Sequence, residues 1–304
     1  MKHIFIINPT AGVKDLTTQI ISTIENELPI ATYEVYVTTG AGDALRYVKD
    51  YLGRNPHETV RFYSCGGDGT LNEVLNGAIG HPNCEITCYP SGSGNDFLKY
   101  FKNPENFLDF KQLIDGEAVS SDVFAVNGRY GLNIFNVGFD AKVVVKQAKI
   151  KRWPLVSGKM AYNLGVVSCV LGRLTNKFKI TADGEVVYDG KGTLCAIANS
   201  ICYGGGYYCA PNAKINDGLL DIVFIKKVNL IQFAKLISGY KSGEYVNDRR
   251  YDPFILAQHA KEIIIDSDRE LYCAVDGEIY KNTHFEVKIV PQAIKFVVPQ
   301  ASLK

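Results

Sequence analysis

Residues 65–77 read CGGDGTLNEVLNG and follow directly on the apolar run VRFYS at 60–64. Three glycines around one carboxylate stand where a strand hands over to a helix. Gly66, Gly67 and Gly69 free the backbone to approach a ligand, and Asp68 is the one ionisable side chain in the turn. The helix that follows, from about Thr70, opens with unpaired N–H groups and the positive end of its dipole, which suits phosphate. A carboxylate beside phosphate requires a cation between them, so Asp68 implies Mg²⁺, held directly or through water and bridging to a polyphosphate. The alternative is a plain glycine-rich turn with an Asp cap, for which one glycine would suffice. The string lacks the G-K-[ST] of a Walker A loop and does not fit G-x-G-x-x-G.

Upstream and downstream of this turn, strand and helix patterns alternate. IFII (4–7), TYEVYVT (32–38), VRFYS (60–64) and EITCYP (85–90) read as strands, while LTTQIISTIENEL (16–28), DALRYVKDYL (43–52) and LNEVLNGAI (71–79) have helical spacing. This βαβαβαβ order predicts an α/β domain with a parallel sheet and helices on both faces, its ligand crevice beyond the carboxyl ends of the strands. The unusual sequences all fall at such ends: NPTAG (8–12), TTGAGDA (38–44), GGDGT (66–70) and SGSGND (91–96). Four strand ends converging on one crevice are hard to obtain from structural turns alone.

Beyond about residue 120 the texture changes to strands with glycine-rich turns, at 122–140, 178–200, 218–228, 261–280 and 285–291. Two helical stretches interrupt it, at 160–172 and 230–240. A second domain of β-sandwich type is expected over 123–304, after a first domain over 1–122. Residues 294–299, IKFVVP, can complete either domain as its last strand. The length of 304 residues agrees with two domains rather than one core.

Composition narrows the class. A formal charge of +1, from 33 basic and 32 acidic residues, argues against nucleic-acid binding by bulk electrostatics. The eight cysteines lack disulfide or metal spacing; several, including Cys65, Cys88, Cys169 and Cys195, lie in apolar contexts and read as buried thiols in a reducing compartment. The start MKHIFIINPT reads as a first strand rather than a secretion signal. No run of 18 apolar residues suggests a transmembrane segment, so a soluble, cytoplasmic protein is expected. The stretch KQAKIKRWPLVSGK (146–159) is basic with Trp153 among its charges, and reads either as a solvated loop or as a contact with an anionic membrane.

Candidate chemistry gathers in the strand-end loops. Asn8 and the amides through Gly12 can hold phosphate or ribose, with Pro9 fixing φ, although the same residues also make an ordinary turn. Thr38 reads as a nucleotide contact or a cap. Ser93 and Asn95 can donate to phosphate, while Asp96 can orient Asn95 or cap the next helix. In PNAKINDGLLD (211–221), Asp217 and Asp221 flank a tight turn where a second Mg²⁺ or a plain Asp-Gly turn would serve. VDGE (275–278) places Glu278 on a hairpin, as a base for a hydroxyl substrate or as an ordinary hairpin residue. His57, His81 and His259 lack metal spacing, and neither a Ser-His-Asp order nor C-x-x-C is present, so hydrolase and redox chemistry have little support.

Taken in order, NPTAG, TTGAGDA, GGDGTLNEVLNG, SGSGNDF, PNAKINDGLLD and VDGE resemble the diacylglycerol kinase catalytic family, most closely its soluble bacterial lipid kinases. The likeness runs from residue 4 to about residue 290, and GGDGT with the downstream G-x-x-N-D-F is its specific part. It implies an N-terminal α/β nucleotide domain and a C-terminal β-sandwich, with the active site in the cleft between them. It implies that Asn8, Pro9, Thr10, Ala11, Gly12, Thr38, Gly66, Gly67, Asp68, Gly69, Thr70 and Ser93 line an ATP site, that Asp68 supports Mg²⁺, and that Glu278 is the general base. Asp217, with the carbonyls near Lys214 and Leu219, looks like the structural Mg²⁺ site of these kinases. Family members more often carry Thr where this chain has Ser93 and Gly94, which bears on nucleotide affinity. The implied reaction is transfer of the γ-phosphoryl group of ATP to a lipid hydroxyl, diacylglycerol giving phosphatidic acid, at the inner face of the membrane. An NAD kinase-like phosphotransferase and a regulatory protein that binds nucleotide without transfer are the rival readings. The identity of the lipid is open, as is the oligomeric state, a homodimer included.

Overall fold

The computed structural model describes residues 1–27, 33–150 and 174–303. Most of the basic stretch 146–159 and the helical pattern at 160–172 therefore lie outside the described residues.

The N-terminal strands β1 (Lys2–Ile7), β2 (Tyr33–Val37), β3 (Val60–Gly66) and β4 (Cys84–Pro90) pair in parallel in the order β2-β1-β3-β4. β3 is buried along its whole length, as expected of a strand covered on both faces. Helices α1 (Thr17–Glu27), α2 (Asp43–Arg54) and α3 (Asp68–Ala78) are the crossovers. Gly77 lets α2 and α3 approach, because a Cβ there would stand 2.7 Å from the Val48 Cβ. Arg61, buried on β3, pairs with Glu85 at 2.7 Å and donates to the carbonyls of Leu113 and Ile114 at the end of α4 (Phe110–Ile114), so its charge is both paired and hydrogen-bonded.

Residues 122–140 hold the strands and glycine-rich turns that their pattern suggests, and end in a helix that it does not. They divide among β5 (Glu117–Val126), β6 (Arg129–Gly131), β7 (Ile134–Gly138) and the first turn of α5 (Phe139–Ile150). Lys146, the first residue of the stretch read as a solvated loop or a membrane contact, sits in this helix. The remaining strands are β8 (Asn176–Ala182), β9 (Glu185–Ala198), β10 (Leu220–Lys226), β11 (Ile255–Ala260), β12 (Glu262–Val275) and β13 (Glu278–Val298). Helix α6 (Leu230–Ser242) begins with a capping box of Asn229 and Gln232 and ends at Gly243 in a left-handed conformation, as the 230–240 pattern suggests.

β9 pairs with β8 through its first half and with β7 and β10 through its second, while β12 does the same with β8 and then β7. The ring β7–β9–β8–β12 encloses a core that includes Phe124, Phe135, Phe178, Phe224 and Phe285. The 21-residue β13 joins this part to the first. It pairs antiparallel with β12 and β5, bulges between Val290 and Ile294, and finally lies parallel to β4 through Lys295 and Phe296. The segment 294–299 thus extends the N-terminal sheet. Its partner β5 runs beside it throughout, and the two parts share one continuous sheet. Among the described residues no helix is long and apolar enough to cross a membrane, and Cys65, Cys84, Cys88, Cys195, Cys202, Cys209 and Cys273 are free and buried.

Candidate active site

The loops after β1, β3 and β4 are in contact. Asn8 donates through Nδ2 to Thr70 Oγ1 at 2.9 Å, while its Oδ1 accepts from the Thr10 amide at 3.0 Å and the Thr10 hydroxyl at 2.8 Å. Gly12, at φ 76°, passes so close to the fourth loop that a Cβ would stand 2.2 Å from the Ser91 carbonyl oxygen. Gly67 and Gly92 meet in the same way, a Cβ on Gly92 falling 2.4 Å from the Gly67 Cα. The loop after β2 joins them through α3, since Glu73 accepts from the amides of Gly42 and Ala44 at 2.7 and 3.1 Å. These close approaches, rather than flexibility, are what the glycines serve.

α3 begins at Asp68, two residues before the expected start, and Gly67 caps it without a side chain. The first-turn amides therefore have no intrahelical partners, and Asp68, Gly69 and Thr70 line the cleft. The Asp68 carboxylate accepts from the Asp96 amide at 2.7 Å, and its second oxygen faces Gly94, where a Cβ would stand 2.6 Å away. Burial, then the negative charge of Asp96, raise the Asp68 carboxyl to about 6. A carboxylate under that strain is one that a bound cation would relieve. Among the described residues no group of three or more His, Cys, Asp or Glu side chains could hold a metal by itself. The donor set fits Mg²⁺ that takes one or two carboxylates and completes its shell with phosphate oxygens and water.

On the far side of the cleft, Asp276 and Gly277 form the tip of the β12–β13 hairpin at φ 46° and 93°, the two-residue turn that Asp-Gly favours. Asp276 accepts from Asn72 Nδ2 at 3.0 Å and from the amides of Leu132, Asn133 and Ile134 at 2.7, 3.0 and 3.0 Å. Next along the chain, Glu278 is exposed to the cleft and its Oε1 lies 3.5 Å from where a Cβ on Gly69 would stand. A carboxylate of the second part thus faces the glycine turn of the first, across a cavity of about 550 Å³.

Strand-end loops, an open helix N-terminus and a facing carboxylate thus share one cleft. The family model for the diacylglycerol kinase catalytic domain matches residues 2–126, and that for the YegS C-terminal NAD kinase beta sandwich-like domain matches residues 133–298. The chain belongs to the diacylglycerol kinase catalytic family. The diacylglycerol kinase of Bacillus subtilis is 29% identical over 279 residues, which cover 90% of this chain and 88% of that protein. The diacylglycerol kinase of Staphylococcus carnosus is also 29% identical over 279 residues, covering 90% and 87%. A crystal structure of a diacylglycerol kinase from Bacillus anthracis superposes with a TM-score of 0.72 at 23% identity, over 99% of this chain and 98% of that one. An NAD kinase from Archaeoglobus fulgidus in complex with ATP shares the fold more loosely, with a TM-score of 0.52 at 13% identity over 99% and 94%.

In this family member Asn8, Thr10, Ala11, Gly12, Thr38, Gly67, Asp68, Gly69, Thr70, Ser93 and Glu278 all line the cleft. Pro9, Gly66 and Asn95 are not among the lining residues. Gly66 makes room for Thr70, whose Oγ1 would be 2.3 Å from a Cβ at that position, and its carbonyl accepts from the amides of Ser91 and Gly92. Asn95, at φ 50°, turns its side chain back to the Gly92 carbonyl at 2.9 Å and shapes the loop. Lys214, Asp217 and Leu219 also stand apart from the cleft lining. The Asp217 carboxylate, exposed, accepts from the Leu219 amide at 3.1 Å on its own turn, and that turn is pinned to buried Asp122, which accepts from Gly218 at 2.7 Å.

Asp96 neither caps the following turn nor orients Asn95. Its carboxylate pairs with Lys99 and accepts from the Gly205 amide at 3.0 Å, while its amide serves Asp68. Sequence reasoning also passed over Asp276, Asn72, Asp140 and Tyr203, all close to or on the cleft wall. Asp276 was within reach, since its Asp-Gly turn stood beside Glu278.

Proposed function

We propose that this protein is an ATP-dependent lipid kinase that transfers the γ-phosphoryl group of ATP to a lipid hydroxyl. The single observation that carries the reading is Glu278 facing the Gly67–Thr70 turn across the cleft. The amides at the start of α3 would hold phosphate oxygens, and Asn8, Thr10 and Ser93 would add hydrogen bonds around the nucleotide. Asp68, with Asp96 beside it, would hold Mg²⁺, which when bound offsets charge on the transferring phosphoryl oxygens. Glu278 takes the proton of the lipid hydroxyl as its oxygen bonds to phosphorus and the bond from phosphorus to the ADP oxygen breaks. Asp217 with the carbonyls of Lys214 and Leu219 is the proposed second Mg²⁺ site, a reading that rests on the family resemblance and on an exposed carboxylate at a tight turn. The reaction would take place at the cytoplasmic face of a membrane.

Diacylglycerol, converted to phosphatidic acid, is the first acceptor to test, because two relatives are named for it. γ-Labelled ATP offered with mixed lipid micelles and, separately, with NAD decides between the lipid kinase and its nearest rival. Label in lipid supports the reading. Label in NAD with none in lipid supports an NAD kinase, and tight ATP binding without any labelled acceptor supports a regulatory nucleotide-binding protein.

A further inference from the structure

The second-domain wall of the cleft carries polar groups that phosphoryl transfer from ATP does not use. On β7, alternation sends Phe135 and Val137 into the sandwich core, while Ile134 and Asn136 face the cavity. The cross-strand neighbours of Asn136 are Ala196 and Ala274, so small side chains flank it on both sides. Asn136 is only 7% exposed, and among the described residues its amide oxygen has no hydrogen-bond partner. A buried carbonyl left in that state costs roughly 1–3 kcal/mol, so a native site that keeps one calls for an explanation.

One turn further on, the first turn of α5 places Asp140 in the same wall. Its carboxylate is bonded by the Tyr203 hydroxyl, which in turn meets the hydroxyl of fully buried Tyr240 at 3.0 Å. Burial raises the Asp140 carboxyl to about 6, and as a carboxylate it only accepts. The Tyr203–Tyr207 turn is fastened on its other side to Asp96 through Gly205, so this wall is held in fixed relation to the Asp68 loop. Ile134, Ala141 and Val143 supply apolar surface alongside.

We propose that Asn136 and Asp140 form an acceptor-recognition subsite that reads a second hydrogen-bond donor on the lipid headgroup, a hydroxyl or ammonium near the hydroxyl that is phosphorylated. This rests on the lipid-kinase reading and narrows its acceptor. Two hydrogen-bond acceptors on one wall match a donor. Diacylglycerol has a single hydroxyl, consumed in the reaction, and its ester oxygens only accept, so it leaves both groups unmatched. A site built to bond a polar group discriminates strongly against the analogue that lacks it. Tyr203 positions Asp140 and does not itself contact the lipid.

The test uses the full chain with γ-labelled ATP and mixed micelles of 1-monoolein, 1,2-dioleoylglycerol or sphinganine. Wild type is expected to show kcat/KM at least about tenfold higher for monoolein or sphinganine than for dioleoylglycerol. The first of these reports a hydroxyl donor and the second an ammonium together with a hydroxyl. Asn136→Ala and Asp140→Asn should bring that ratio to within about twofold of unity while KM for ATP stays unchanged. If Asp140→Asn does not fold, Asn136→Ala and the volume-conserving Tyr203→Phe carry the comparison. Dioleoylglycerol labelled as fast as the others, variants that slow all acceptors in proportion, or a rise confined to KM for ATP would overturn the subsite alone. No label in any lipid would overturn the lipid-kinase reading and this proposal together.

Discussion

The side-chain amide of Asn72, on α3, lies 3.0 Å from the carboxylate of Asp276 at the tip of the β12–β13 hairpin, and so ties α3 to the strand pair that carries Glu278. The same amide also donates to the Tyr130 carbonyl at 3.0 Å, and Asn76 exchanges hydrogen bonds with Tyr130 at 3.0 and 3.1 Å. The position of Glu278 relative to the glycine turn is therefore set by part-buried polar contacts across the cleft. Such contacts are directional where apolar packing is not.

Removing that tie should move Glu278, the proposed base, more than it loosens the fold. Asn72→Ala is expected to cost about 1–3 kcal/mol in urea unfolding and to lower kcat by about tenfold to a hundredfold, with KM for ATP little changed. Asp276→Ala takes the acceptor from three backbone amides at once and should destabilise by at least about 3 kcal/mol. Equal kcat in Asn72→Ala and wild type would show that the hairpin finds its place without this contact.

The raised carboxyl of Asp68 gives a pH dependence with a definite sign. Its folded value of about 6 lies above the roughly 3.9 of an unfolded Asp, so the folded state binds the proton more tightly. The contribution to stability is greatest below about pH 4, declines as pH rises through 6 and is flat above. Cation binding needs the ionised form and runs the other way. Mg²⁺-nucleotide affinity, measured by calorimetry, should be full near pH 7.5 and weaken by about tenfold per pH unit below 6. In Asp68→Asn the remaining dependence should be that of the nucleotide alone.

Gly12 is the position where backbone freedom matters most. At φ 76° and with the Ser91 carbonyl 2.2 Å from a Cβ, Ala cannot be placed without separating the first and fourth loops. Gly12→Ala should raise KM for ATP by at least about tenfold while the far-UV circular dichroism is kept. An unchanged KM would mean that the loop contact does not shape the nucleotide site.

What could be read from the chain was local in origin. The strand-end loops and the Asp-Gly hairpin declare themselves through glycine spacing and short-range turn chemistry, and α6 through Asn229, Gln232 and Gly243. What could not be read came from contacts between distant residues. Nothing near Asp96 announces that it will accept from Gly205, nor near Asp122 that it will pin Gly218 and Gln292. α5 was missed because Ile134, Phe135 and Val137 run straight into Phe139 without a breaker other than Gly138, although Phe139 and Val143 carry helical spacing. The fate of residues 294–299 depended on a bulge in β13 that local pattern does not encode.

The role of Glu278 is the point on which the chemistry turns. Phosphoryl transfer from ATP to a micellar lipid acceptor should be compared between wild type and Glu278→Gln, with Mg²⁺-nucleotide binding measured on both. A loss of at least about a hundredfold in kcat with nucleotide affinity retained is the expected result; a variant that keeps kcat within a few-fold of wild type would contradict it.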